Sequence, residues 1–129
     1  MTGTNQKDRV VLITGASRGI GAARARAAAD AGYRLAITAR STDKLDALVA
    51  ELGKERAFAV PCDVSRFEAQ QRMVDTVVKH YGRIDAVFAN AGVGGGPGGF
   101  SGAPVDGWRA MVDVNILGVA YTLRATLEH

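Results

Sequence analysis

Eight consecutive residues, Thr14-Gly15-Ala16-Ser17-Arg18-Gly19-Ile20-Gly21, set three glycines at the spacing Gly-x-x-x-Gly-x-Gly. They follow a short apolar run and open an alanine-rich stretch. Glycines at such a junction let the chain turn tightly and let backbone N–H groups approach an anion. The N-terminal end of a helix favours negative charge at that point. Holding a pyrophosphate is the chemistry this turn suits, although the spacing differs from the Gly-x-Gly-x-x-Gly of many dinucleotide sites. Glycine spacing alone also occurs where a turn needs glycine only for its geometry. The strand-turn-helix context is what favours binding.

That context comes from the rest of the chain. Apolar runs at 10–13, 33–39, 56–61 and 84–89 alternate with helical patterns at 20–31, 42–52, 65–81 and from 105 to the end. Ser65 is expected to cap the third helix, with Glu68 three residues on completing a capping box. A glycine-rich loop, 92–102, follows the fourth run and reads as a site loop, not an interdomain linker. Strands alternating with helices imply crossover units and a parallel sheet. Right-handed crossovers make 3-2-1-4 the expected strand order. The inward stripe of the first helix is expected to be Ile20, Ala23, Ala27, Ala28 and Ala31, with Arg24 on or beside it. The last helix carries a broad apolar stripe of Met111, Val114, Ile116, Leu117, Tyr121 and Leu123.

Four segments together resemble the short-chain dehydrogenase/reductase family. They are Thr14 to Gly21, the pair Asp63-Val64 after the third run, Asn90-Ala91-Gly92 after the fourth, and Asn115 within Val114-Asn115-Ile116. Order and spacing match along the whole chain. The resemblance implies a Rossmann-like, doubly wound α/β fold, here partial, that transfers hydride between a nicotinamide cofactor and an alcohol or carbonyl. It implies that the backbone from Gly15 through Ser17, Arg18, Gly19 and Ile20 to Gly21 holds the pyrophosphate. Asp63 would meet the adenine amino group and the Val64 backbone the ring. Asn90, with Ala91 and Gly92, would lie beside the adenosine ribose, and Asn115 would belong to the catalytic set.

Charge argues for the phosphorylated cofactor, NADP(H). NAD sites place an acid at the end of the second strand to accept the ribose 2′-hydroxyl. Here Ala39 stands there, followed by Arg40 and Ser41. A carboxylate would repel a 2′-phosphate, whereas a guanidinium grips one through paired hydrogen bonds. Arg18, in the glycine turn, is expected to approach the same phosphate from the other side.

The match also breaks off. The family's Tyr-x-x-x-Lys is absent: four residues after Tyr33, Tyr81 and Tyr121 stand Ile37, Asp85 and Ala125. No residue matches the family's catalytic serine, so Asn115 stands as one member of an incomplete set. Leu127-Glu128-His129 resembles the start of a Leu-Glu-polyhistidine tail. Residues 1–126 are therefore expected to be the binding half-domain and 127–129 a cloning scar, in a shortened or designed chain. Three readings stay open: a cofactor-binding half without catalysis, a reductase completed by a partner chain, and a structural module with a vestigial site.

Composition narrows the setting. The 129 residues carry a net charge of +3, with the basic residues scattered and mostly arginine. A nucleic-acid surface would gather them into a patch or stripe, so no nucleic-acid partner is expected. No apolar run approaches the roughly 20 residues of a membrane helix, and no metal site is expected. A lone cysteine, Cys62, excludes an internal disulfide and suits the cytoplasm. A homodimer is expected, through the edge of the fourth strand, the last helix, or both.

Overall fold

The computed structural model describes residues 6–129. Four strands form one parallel sheet: β1 (Val10–Thr14), β2 (Arg34–Ala39), β3 (Ala57–Pro61) and β4 (Ala86–Phe88). Their order is β3-β2-β1-β4, as the crossover argument requires. Helices α1 (Gly19–Asp30), α2 (Thr42–Leu52) and α3 (Phe67–Tyr81) make the three crossovers. A helical turn α4 (Gly99–Gly102) interrupts the glycine-rich loop. The chain then runs through α5 (Val105–Met111), a π-helical turn (Val112–Leu117) and α6 (Gly118–Thr126).

The strands are apolar along their length because helices cover both faces of the sheet. Val10, Leu12, Ala36 and Val60 pack against Met73, Val74 and Val77 of α3 on one side. Ile13, Leu35, Ile37 and Ala57 pack against Ala22, Ala25, Leu45 and Leu48 of α1 and α2 on the other. Thr14 and Thr38 sit opposite each other in register, so β1 and β2 end together and their following turns share one rim. That shared rim is where ligands bind in open parallel sheets.

Several local expectations fail for identifiable reasons. The buried side of α1 is Gly21, Ala22 and Ala25, while Ile20 is 69% exposed. Of the expected stripe only Ala28 is even half-buried. Alanine and glycine at most positions leave the sequence little contrast between faces. Arg24, beside the stripe as expected, is exposed but turns its guanidinium over the half-buried Phe88 ring of β4, 5.5 Å from its centre. Ser65 does not cap α3. Its amide and hydroxyl both donate to Asp63 Oδ1, at 3.0 and 2.7 Å, and the cap position falls to Arg66 with no side-chain bond. The serine–aspartate turn outcompetes the capping box.

The fourth run pairs over three residues only, because Asp85 intervenes. Its amide donates to Val10 O, and its carboxylate Oδ2 accepts from Val10 N at 2.8 Å. The broad apolar stripe of the last helix is only partly covered. The buried residues in α6 are Gly118, Thr122 and Thr126, whereas Ile116, Leu117 and Leu123 lie exposed.

Candidate functional site

The rim formed where β1, β2, β3 and β4 end is a cleft of about 840 Å³. Its floor at β1 is the glycine turn. Gly15 has φ +65°, and a Cβ there would lie 2.7 Å from Ala91 Cα. Gly21, in the first turn of α1, would place its Cβ 2.2 Å from the Gly15 carbonyl oxygen. Both glycines are thus required by packing of one backbone on another. Gly19 differs: its φ is +58°, yet a Cβ there meets nothing within 4 Å. Space is kept in front of the first turn of α1, which no side chain caps and which carries no acidic residue. An uncapped helix start beside a glycine that faces open space is a cradle for an anion.

The turn is held from two sides. Ala16 N donates to Thr38 O at 3.1 Å, tying it to β2. From β4, Asn90 Nδ2 donates to Thr14 O and Gly15 O at 3.3 and 3.2 Å. The Thr14 hydroxyl in return accepts from Asn90 N and Ala91 N, at 3.0 and 3.1 Å. Asn90 is therefore a brace between the glycine turn and the loop after β4, with its amide spent on backbone.

At the β2 end, Ala39, Arg40, Ser41 and Lys44 line the cleft, facing Arg18 of the glycine turn. Ser41 is the N-cap position of α2 and makes no side-chain cap bond. Lys44 was missed in the sequence, where a lysine early in an amphipathic helix reads as ordinary solvated charge. It lies in the first turn of α2, just beyond Arg40 and Ser41, at the end of the helix that the cleft abuts. Three cations thus line the one cleft, with no carboxylate at the end of β2.

The β3 end supplies Cys62, Asp63 and Val64. The Ser65 hydroxyl holds the Asp63 carboxyl below the usual carboxylate range; partial burial works against this, and the Ser65 amide, Arg40 and Arg66 reinforce it. Asp63 is thus ionised at neutral pH, with Oδ1 occupied by Ser65 and Oδ2 without a hydrogen bond among the described residues. Burial pushes the Cys62 thiol up to about 11, helped by the adjacent Asp63 charge and opposed by Arg72. A thiol at that value is no nucleophile at neutral pH.

Two expected site residues, Gly21 and Asn115, do not line the cleft. Gly21 supports Gly15 from beneath. Asn115, in the π turn, spends its side chain on the backbone of Val93: Oδ1 accepts from Val93 N at 2.8 Å, and Nδ2 donates to Val93 O at 2.9 Å. Val93 and Val114 line the cleft in its place. Gly15, Ser17, Arg18, Gly19, Ile20, Arg40, Ser41, Asp63, Val64, Asn90, Ala91 and Gly92 all border the one cleft.

A parallel sheet in this order, with a glycine turn opening the first helix and polar groups at the strand ends, defines a Rossmann-like dinucleotide fold. The sequence profile described as short chain dehydrogenase matches residues 9–129, and the chain belongs to that family. It is 36% identical over 124 residues to the uncharacterized oxidoreductase Lmo0432 of Listeria monocytogenes, covering 94% of this chain and 49% of that protein. An alcohol dehydrogenase from the archaeon Thermococcus sibiricus, solved with 5-hydroxy-NADP, superposes at TM-score 0.86 with 41% identity, covering 93% of this chain and 52% of that one. An NAD⁺-bound xylitol dehydrogenase superposes at 0.90 with 30% identity, covering 98% and 49%. The chain thus spans about half the length of the proteins it matches. No helix among the described residues is long and apolar enough to cross a membrane.

Proposed function

We propose that this chain is the NADP(H)-binding half of a short-chain oxidoreductase. The observation that carries the reading is the trio Arg18, Arg40 and Lys44 around Ser41, with Ala39 where a hydroxyl-accepting acid would stand. The residues present fit the cofactor. The uncapped first turn of α1 and the open face of Gly19 suit the pyrophosphate. The free Oδ2 of Asp63 suits an amino hydrogen of adenine, with Val64 as the adjoining wall. Arg18, Arg40, Ser41 and Lys44 suit a 2′-phosphate. When bound, the nicotinamide ring supplies or accepts the hydride. The chain's own residues bind, orient and screen: Asn90 fixes the turn, and Asn115 fixes Val93 at the end of the cleft away from Arg40.

Relatives that bind either NAD⁺ or NADP share this fold, so the choice rests on charge at the end of β2. Each charge-assisted hydrogen bond to a phosphate contributes about 1.5–3 kcal/mol. NADPH should therefore bind at least tenfold more tightly than NADH. Arg40→Asp should erase or invert the difference. Superimposable titration curves for the two cofactors in the unaltered chain would refute the assignment.

Catalysis by this chain alone is not part of the proposal. With no Tyr-x-x-x-Lys in the sequence, proton transfer to or from the substrate oxygen lacks its donor, a loss of about 10²–10⁴ in rate. The purified chain should not consume NADPH with aldehydes or ketones above background. In the cell, the reading places it in the cytoplasm. The same structure favours self-association. β4 has one ladder partner, and Val112, Ile116, Leu117 and Leu123 form an uncovered apolar face. Such a face together with an open strand edge pairs most simply with its own copy.

A further inference from the structure

Gln70 is the one fully buried amide side chain among the described residues, and nothing in a nucleotide-binding role calls for it. It lies in the first turn of α3, immediately behind the Asp63-Val64 corner of the cleft. Its Nε2 donates to Val64 O and to Gly118 O, both at 2.8 Å. Those two carbonyls can only accept, so the orientation of the amide is fixed, and Oε1 must accept. The Thr122 hydroxyl reaches it at 2.7 Å and shares its one proton between Oε1 and Gly118 O, which lies at 2.8 Å. The backbone at this junction is tightly packed: a Cβ on Gly118 would lie 3.0 Å from Val64 Cγ2 and 3.3 Å from Val64 O.

Gly118 is also where the π turn ends, with its amide bonded to Asp113 O. That turn carries Asn115, which grips Val93. A continuous run of hydrogen bonds and one helical turn therefore joins Val64, at one corner of the cleft, to Val93, at the other. We propose that Gln70 is a positioning residue of the dinucleotide site. It sets the separation between the Val64 wall and the Asn115–Val93 clamp, and it touches no ligand itself. The ligand side of this proposal rests on the cofactor reading above; the mechanical side does not.

Two variants separate positioning from mere stability. Gln70→Met keeps the volume but leaves Val64 O without its side-chain donor and Gly118 O with the Thr122 hydroxyl alone. Thr122→Val removes only the hydroxyl and leaves the bond to Val64 in place. The first readout is amide hydrogen exchange at Val93 and Ser65 in the ligand-free chain. The second is affinity for 2′,5′-ADP, which carries adenine and the 2′-phosphate, set against inorganic pyrophosphate, which reports the phosphate-binding groups of the cleft without the adenine wall.

Gln70→Met should raise exchange at both amides and weaken 2′,5′-ADP about tenfold while pyrophosphate binding holds. Thr122→Val should keep 2′,5′-ADP within about threefold even where its unfolding midpoint drops as far. Should Gln70→Met not fold, Gln70→Glu keeps the shape and, when protonated, one donor. Its affinity and exchange should then recover on mild acidification. Losses in both variants that simply track stability would overturn the proposal, as would unchanged exchange at Val93. Faster exchange in Gln70→Met, in a chain that binds neither probe, would uphold the coupling and overturn the cofactor reading instead.

Discussion

Replacing the three glycines of the turn by alanine, one at a time, should give three different results from one chemical change. At Gly21 the added methyl meets the Gly15 carbonyl oxygen at 2.2 Å and Asn90 Nδ2 at 2.8 Å. Backbone cannot yield as a side-chain end can, so the turn must shift. Overpacking of this kind costs about 1–3 kcal/mol, occasionally more, against a gain of about 1 kcal/mol from alanine's helix propensity. At Gly15 the contact is 2.7 Å to Ala91 Cα, and the left-handed φ of +65° adds its own strain. At Gly19 only the φ of +58° is unfavourable, since the methyl meets nothing. A left-handed residue costs about 1–2 kcal/mol, partly offset by the narrower unfolded ensemble of alanine.

Gly19→Ala should thus fold with a loss of about 1 kcal/mol, while Gly15→Ala and Gly21→Ala lose more. Yet the Gly19 methyl stands in the space before the first turn of α1, where a pyrophosphate must come close. Its NADPH affinity should fall tenfold or more, equivalent to about 1.4 kcal/mol. Urea denaturation and NADPH fluorescence titration on the same samples read the two quantities separately. If Gly19→Ala bound NADPH like the parent, or if Gly21→Ala unfolded at the parent's midpoint, the reasoning from these contacts would be wrong.

Other outcomes follow from features already described. Arg83 holds the Asp85 carboxyl below its ordinary range, reinforced by the bond from Val10 N and the Arg9 charge, with burial opposing. Its stabilising contribution is therefore complete above the ordinary value of about 3.9 and is lost as pH falls through the lower folded value. Urea midpoints should drop on acidification below about pH 4, and Asp85→Asn should flatten that drop. Cys62, with its thiol pushed up to about 11, should resist a disulfide reagent at pH 8 in the folded chain and react at once in urea. Gly118→Ala should press Val64 towards the cleft from behind and weaken 2′,5′-ADP; unaltered binding would mean the wall is compliant. Light scattering behind a sizing column should give a dimer mass at micromolar concentration, and a monodisperse monomer would refute pairing through β4 or the exposed helix face.

What the sequence disclosed depended on contrast. The four strand runs stood out because burial on both faces demands unbroken apolar residues, and the strand order then followed from crossover handedness. α2 was legible to the residue because Leu45, Leu48 and Leu52 alternate with charge. α1 was not, since a row of alanines presents nearly the same surface on every side. The glycine turn could be recognised, but its spacing alone did not divide the roles that the structure divides, with Gly15 and Gly21 packing backbone and Gly19 facing space. Lys44 went unseen because a cleft cation and a solvated one look alike in sequence. The buried side of α6 was invisible for a deeper reason: glycine and threonine carry no hydrophobic signal, and the leucine beside them, Leu123, points outward.

The polar burial in α6 has a thermal consequence. The helix is fastened to α3 through the Gln70 amide, the Thr122 hydroxyl and a bare glycine, with Ala125 and the Tyr121–Phe67 ring contact as its apolar share. Detaching it thus exposes less hydrocarbon to water than parting the strands from their core. Heat capacity on unfolding comes mainly from newly wetted apolar surface. Opening of α6 should therefore carry a small heat-capacity change, and its free energy should vary almost linearly with temperature. The strands beneath it obey the curved stability profile of an apolar core. On cooling, the core and the helix that braces its cleft should part company in stability, so that the same site is set by different forces at different temperatures.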